Sequence, residues 1–164
     1  MIIGGGISGI SASLSAAREG TTVCLVEPNN DLGGSIGENS QKPLDYASSC
    51  NDPFFRESGI FEEITTNLRL GNKEGTFTGQ ARALLNLVKT ETNITTMLGY
   101  QCLEVTPNAS GDRIDSCTII DHLNSCKFLH RAEYFVDCSN GGEFSKLANV
   151  PGESRNPANT EPRK

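Results

Sequence analysis

Three glycines stand at G-x-G-x-x-G spacing near the head of the chain, Gly4, Gly6 and Gly9, and a carboxylate, Glu27, follows Gly9 by 18 residues. Bare backbone followed by an acid at this distance is suited to holding a diphosphate by main-chain amides and a sugar diol by a carboxylate. Gly4 permits a tight turn, Gly6 admits a diphosphate to the main chain without a Cβ in the way, and Gly9 lets a following helix lie close to a strand. Gly5 between them reads as tolerated, not required. The amides opening that helix would turn the positive end of its dipole toward phosphate. Glu27 would accept hydrogen bonds from both hydroxyls of an adenosine ribose, and its charge would repel a 2′-phosphate, which excludes an NADP type of ligand here.

These residues need a frame to hold them. Ile2-Ile3 ends a short strand, Ser8 to Glu19 carries Ala, Ser and Leu at helical spacing, and Thr22 to Glu27 is a continuous apolar run of the buried parallel kind. Ser13 supplies the small residue that helix–strand packing needs, and Gly20 turns the chain back, so the stretch reads as a βαβ unit. A Gly/Ser/Asn loop then runs from Pro28 to about Cys50. Helices are expected around Gly59 to Leu70 and Gly79 to Thr92, and short strands at Ile94 to Leu98 and Gln101 to Val105. A hairpin or meander runs through "RIDSCTIIDHLNSCKFLHRAEY", turning near Asn124-Ser125, and a last strand, "YFVDC", breaks into "SNGGEFSKLANV". The fold class that follows is α/β, a Rossmann-like βαβ domain with a parallel sheet core and a smaller β-rich insertion. We expect one domain over residues 1–150, incomplete at both ends, and a polar tail over 151–164.

Composition narrows the partners. The 164 residues are 36% hydrophobic, enough for the core of one ordinary domain. No apolar run approaches the roughly 20 residues of a membrane-spanning helix, and no secretory pattern is legible, so the expected location is the cytoplasm. A net charge of −6 offers no field to attract nucleic acid or an anionic membrane, leaving a small-molecule substrate as the expected partner. The six cysteines include no C-x-x-C pair; they read as buried thiols, and no metal is expected. Asn93-Ile-Thr95 and Asn108-Ala-Ser110 match the glycosylation pattern by accident.

The βαβ unit alone does not separate FAD from NAD. Gly33-Gly34 after the acid would let a second loop close over the diphosphate of a long cofactor, and the turn after "YFVDC" would bring backbone near the phosphates again. Taken in order, "GGGISGISASLSAAREGTTVCLVE", "LGG", "RESGIFEEI", "NITTMLGYQCLEV" and "FVDCSNGGEFSKLANVPGESR" resemble the N-terminal half of the FAD-dependent oxidoreductase family, within the glutathione-reductase-like and fumarate-reductase-like flavoproteins. The resemblance runs from Met1 to about Arg155 and implies FAD as cofactor. It implies that Gly4, Gly6, Ser8 and Gly9 surround the diphosphate, that Glu27 holds the adenosine ribose, and that Gly33 and Gly34 lie beside diphosphate and ribitol. It further implies that the backbone of Val105 pairs with the adenine edge and that Cys138, Ser139 and Asn140 form the turn closing the flavin site. Where the family usually has Thr-Gly-Asp-Gly, this chain has Ser139-Asn140-Gly141-Gly142; Asn is the non-glycine residue that best tolerates a left-handed backbone.

No residue is assigned as catalytic acid or base. Arg56, Glu57, Glu62 and Glu63 read as a charged helix entry and solvated face, His122 and His130 as hairpin residues, and Cys50 as a thiol without a partner for a redox disulfide. The expected activity is that of an FAD-dependent oxidoreductase, with a substrate C–H giving a hydride to flavin and an unspecified acceptor reoxidising it. The resemblance also implies a piece of a longer protein. The alternatives are an NAD-binding Rossmann module and a non-catalytic remnant of a flavoprotein.

Overall fold

The structure is a computed structural model that describes residues 1–37, 44 and 58–152. Cys50, Arg56, Glu57 and Arg155 lie outside the described residues. Among the described residues, seven strands and four helices follow one another: β1 (Ile2–Ile3), α1 (Ile7–Arg18), β2 (Val23–Glu27), α2 (Gly59–Gly71), α3 (Phe77–Lys89), β3 (Ile94–Leu98), β4 (Tyr100–Pro107), β5 (Ile114–Asp121), β6 (Lys127–Arg131), β7 (Val136–Asp137) and α4 (Glu143–Leu147). A short 3-10 turn, Gly34–Ile36, follows β2.

Two sheets result. Strands β3-β2-β1-β7 form a parallel sheet in that order, and β4-β5-β6 an antiparallel one. The continuous apolar runs of β1 and β2 follow from burial on both faces. Ile2, Val23 and Leu25 point to a core shared with α1, α2 and α3, while Ile3 and Val26 point to a second core with Cys102, Cys117, Ile119 and Phe144. This is the period-2 alternation of a strand sandwiched between helices and a second sheet. The fold is a Rossmann-like α/β fold carrying an antiparallel sheet.

Local chemistry sets the helix ends. Helix α1 buries Ile10, Leu14 and Ala17 and ends where Gly20 takes φ +87°. Arg18, in its last turn, makes two 2.7 Å bonds to Glu63 and one of 2.8 Å to Glu91, tying α1 to α2 and to the segment after α3. Glu63, expected on a solvated face, is therefore an ion-pair partner, and the Arg18 hydrogen bonds hold its carboxyl below the usual range. Helix α3 is capped by Thr76, whose hydroxyl accepts from Gly79 N at 2.9 Å. Asn93 donates to the carbonyls of Ala17 and Thr21, a structural use for a residue in a glycosylation-like triplet.

Strand β3 falls where expected, at Ile94–Leu98. It pairs with β2 in parallel register, Ile94 opposite Val23 through Leu98 opposite Glu27, so it belongs to the Rossmann sheet. A single residue, Gly99 at φ +78°, then throws the chain into the antiparallel sheet. The hairpin turns where expected, with Asp121 accepting from the amides of Leu123 and Asn124 and Ser125 at φ +55°.

Candidate functional site

Consecutive strands β1, β2 and β3 build the sheet in one direction, and β7 then pairs on the other side of β1. Ligands of open α/β sheets bind where the order reverses, beyond the carboxyl ends of the strands. A cavity of about 710 Å³ lies there, walled by the residues after β1, β2 and β7 and by the start of β4. Gly4, Gly6, Ser8, Glu27, Gly33, Gly34, Cys138, Ser139 and Asn140 all line it. Gly9 and Val105 are not in its wall.

The glycines divide by what a Cβ would meet. At Gly4 it would fall 2.3 Å from the carbonyl oxygen of Cys138, at a φ of +107°, and at Gly9 it would fall 1.8 Å from the oxygen of Gly4. These two are demanded by the fold. Gly5, expected to be merely tolerated, is also packed: its Cβ would lie 2.5 Å from the side chain of Leu32 and 2.9 Å from Cβ of Glu27, both residues buried. Gly6 differs from all three. Its φ of −70° is open to any residue, and among the described residues a Cβ there would approach no atom nearer than Gly34 Cα at 4.0 Å. Nothing in the described residues needs Gly6 to be glycine; a side chain there would instead project into space beside the cavity wall.

The second glycine loop lies against the first. Gly33 N donates to Gly5 O at 2.9 Å, Gly6 and Gly33 form an isolated parallel bridge, and a Cβ on Gly34, at φ +57°, would sit 3.0 Å from Gly6 Cα. Helix α1 opens on this loop with no side-chain cap on Gly6 and no acid in its first turn, which leaves its positive end for an external anion. Ser13 donates to Gly9 O at 2.7 Å, anchoring the helix from within.

Glu27 is 5% exposed and already well bonded. Its Oε2 accepts from Gly5 N at 2.6 Å, and its Oε1 accepts from Asn29 N at 2.9 Å and Asn29 Nδ2 at 2.6 Å. A carboxylate oxygen has two acceptor positions, so among the described residues Glu27 leaves one open position on Oε2, where two ribose hydroxyls were expected. Asn29 also lines the cavity, and its carbonyl accepts from Gly99 N at 2.9 Å, tying the acid to the start of β4.

The opposite wall is organised by a side chain that sequence reasoning missed. Asp137 accepts from Ser139 N at 2.9 Å, Ser139 Oγ at 2.5 Å, Ser145 N at 2.8 Å and Ser145 Oγ at 2.5 Å. Ser139 Oγ in turn accepts from Glu143 N at 2.7 Å. Partial burial pushes the Asp137 carboxyl up, but the bonds from Ser139 and Ser145 outweigh it and hold the group below the usual range. The left-handed backbone of this turn falls on Gly141 (φ +76°) and Gly142 (φ +69°), not on Asn140, so the expected reason for Asn140 does not apply.

The family model described as FAD dependent oxidoreductase matches residues 1–162. The chain belongs to this family. FAD is its cofactor. The A subunit of the ferredoxin:CoB-CoM heterodisulfide reductase from Methanosarcina acetivorans is 31% identical over 100 residues, covering 54% of this chain and 12% of that protein. Among solved structures, the glycerol-3-phosphate dehydrogenase of Bacillus halodurans complexed with FAD aligns with a TM-score of 0.61 at 15% identity, covering 90% of this chain and 35% of that one. THI4 of Thermovibrio ammonificans aligns with a TM-score of 0.59 at 18% identity, over 93% of this chain and 62% of that one. The match thus spans only 12% of the curated relative's length.

Within this flavoprotein frame, Val105 lies in β4 opposite Cys117 of β5, and it is Tyr100, Gln101 and Cys102, at the start of the same strand, that reach the cavity. His122 is exposed, and neither it nor His130 lines the cavity. Two misses had readable signals. Asp137 stands two residues before Ser139, the spacing of an Asx turn, and Asn29 stands two residues after Glu27. Among the described residues, no helix is long and apolar enough to cross a membrane and no three or more His, Cys, Asp or Glu side chains are grouped as metal ligands.

Proposed function

We propose that this cavity holds the ADP half of FAD and that the protein is an oxidoreductase acting on a small-molecule substrate. The observation that carries the reading is Gly6, a glycine that no contact among the described residues requires, placed where a Cβ would narrow the approach to the α1 amides. The main chain at Gly6 and Gly34 would admit the diphosphate, with Ser8 and the first-turn amides of α1 facing its charge. Glu27 would take one ribose hydroxyl on Oε2, held in place by Gly5 and Asn29. The Ser139–Asn140 turn, locked by Asp137, would close the side toward the flavin. Bound flavin supplies the hydride and electron acceptance that the family uses. No acid or base is assigned in this chain.

We place the protein in the cytoplasm, on the strength of cysteines scattered without a secretory framework. Titration with FAD, read by flavin fluorescence, tests the cofactor site. The wild type is expected to saturate, and Gly6→Ala and Glu27→Ala to bind at least tenfold more weakly. A protein that takes NAD and leaves FAD free supports a dinucleotide module instead. One that takes neither supports a non-catalytic remnant.

A further inference from the structure

Asn140 lines the cavity, is exposed, and bonds through its side chain to no described residue. The amide of the next residue, Gly141, also lacks an acceptor among the described residues, although Gly142 N beside it donates to Ser139 O at 3.5 Å. A Cβ on Gly141 would meet no described atom nearer than Lys146 Nζ at 3.9 Å. A side-chain amide, an unengaged main-chain N–H one residue on and open space beside both are what asparagine needs to cyclise onto its own backbone. Asn140-Gly141 is the one Asn-Gly step in the 164 residues. Two other exposed asparagines followed by small residues are tied down. Asn124 donates from Nδ2 to Asp121 Oδ2 at 2.7 Å, and Asn108 donates to Ser110 Oγ at 2.9 Å and Asp112 Oδ1 at 2.8 Å.

We propose that Asn140 converts without an enzyme to aspartate and isoaspartate, and that the converted turn holds the FAD diphosphate more weakly. The effect on FAD rests on the cofactor site proposed above; the conversion itself does not.

The chemistry needs only water. The Gly141 amide gives its proton to base in the solvent and its nitrogen attacks Cγ of Asn140. The new N–Cγ bond closes a succinimide, the Cγ–Nδ2 bond breaks, and ammonia leaves with a proton regained from solvent. Water then adds at one of the two ring carbonyls and breaks its C–N bond. Opening at Cγ restores the Gly141 peptide and leaves aspartate; opening at the main-chain carbonyl leaves isoaspartate, whose backbone is one carbon longer. Nothing is oxidised or reduced.

Either product adds a negative charge to the wall. Glu27 and Glu143 already stand in it, and no Lys, Arg or His is among its described lining residues. Lys146, near Gly141, is exposed, so an ion pair formed there is screened by solvent. The new carboxylate therefore faces a diphosphate with little to offset the repulsion. Isoaspartate also lengthens the main chain inside a turn that is fixed on both sides. Asp137 holds Ser139 and Ser145, and Phe144 is buried and stacked on Phe135. Bound FAD, by holding the turn still, slows the cyclisation.

The test keeps the protein in mildly alkaline buffer with and without saturating FAD, then digests it with trypsin in mild acid. Peptide masses and methylation by an isoaspartyl methyltransferase are read over time. Residues 132–146 and 114–127 form two tryptic peptides that carry Asn140 and Asn124 as their single asparagines. Peptide 132–146 is expected to exchange NH for O at a rate close to that of the free synthetic peptide, and more slowly with FAD, while 114–127 stays unchanged. Asn140→Gln, whose longer side chain disfavours the ring closure, is expected to stop the exchange. Asn140→Asp, a uniform form of one product, is expected to bind FAD about tenfold more weakly than wild type. The proposal is overturned if the folded protein converts an order of magnitude more slowly than the free peptide, the mark of a turn that must first open. It is equally overturned if Asn124 converts as fast as Asn140, or if converted protein and Asn140→Asp bind FAD as tightly as wild type. Conversion at Asn140 in a protein that binds FAD in no form supports the modification and sinks the cofactor reading together with its affinity effect.

Discussion

The two walls of the cavity are built on different physics. The wall after β1 is held by the absence of side chains: Gly4, Gly5 and Gly9 let main chain touch main chain or buried carbon, and no titratable group is needed for the close approach of Gly4 to Gly9. The wall after β7 is held by one carboxylate that gathers four donors from Ser139 and Ser145. The first is a steric lock shared with the core. The second is a polar lock local to a short turn, and it carries a charge that pH can remove. A ligand bridging both walls therefore rests on one support that fails with the fold and another that can fail alone.

Substitution separates these supports. The largest effect is expected for Gly9→Ala, whose Cβ would fall within 1.8 Å of Gly4 O and force α1 away from β1. Overpacking of this kind costs about 3 kcal/mol or more, so thermal unfolding should drop sharply or soluble protein be lost. Gly6→Ala, three residues away, should move stability by less than about 1 kcal/mol, the usual scale for glycine-to-alanine changes at a compatible φ. Its effect should appear in FAD titration instead. Equal loss of stability in both variants would erase the distinction between glycines the fold needs and a glycine the ligand needs.

How far the sequence foretold this contrast depends on whether the deciding contact is local. The βαβ frame was legible because strand, glycine turn, helix and strand each carry their own pattern, and the lengths of α1 and β2 follow it closely. The role of Gly5 was not, because it depends on Leu32 and Glu27 folding back from the next strand. Nor was the membership of β3 in the parallel sheet, which is fixed only by its pairing with β2. Which residue of β4 meets the cavity depends on register and on the shift after Cys102, which puts Gln101 and Cys102 in the wall and leaves Val105 outside it. The bond from Asp137 to Ser145 spans eight residues and exists only once the turn has closed.

That bond also gives the polar wall its next prediction. Asp137→Asn keeps an acceptor and the shape but loses the charge shared among four donors, at a cost of about 1–2 kcal/mol. The loss should fall mainly on FAD affinity, weakened by about tenfold, because the steric wall and the cores are untouched. A variant that loses cooperative unfolding as severely as Gly9→Ala would show that the turn is part of the core after all.

Acid distinguishes the walls with the smallest effect. The folded pKa of Asp137 is depressed below its ordinary value, so the carboxylate's contribution is fully present above the unfolded pKa of about 3.9. As pH falls below that value the contribution declines, and it is gone once pH has passed through the depressed folded value. The glycine wall has no such step. Flavin release followed by fluorescence on acidification should therefore include a component, below about pH 4, that Asp137→Asn lacks. The difference between the two curves isolates Asp137. Superimposable curves would mean that the turn after β7 does not govern cofactor retention, and would return that role to the glycine wall alone.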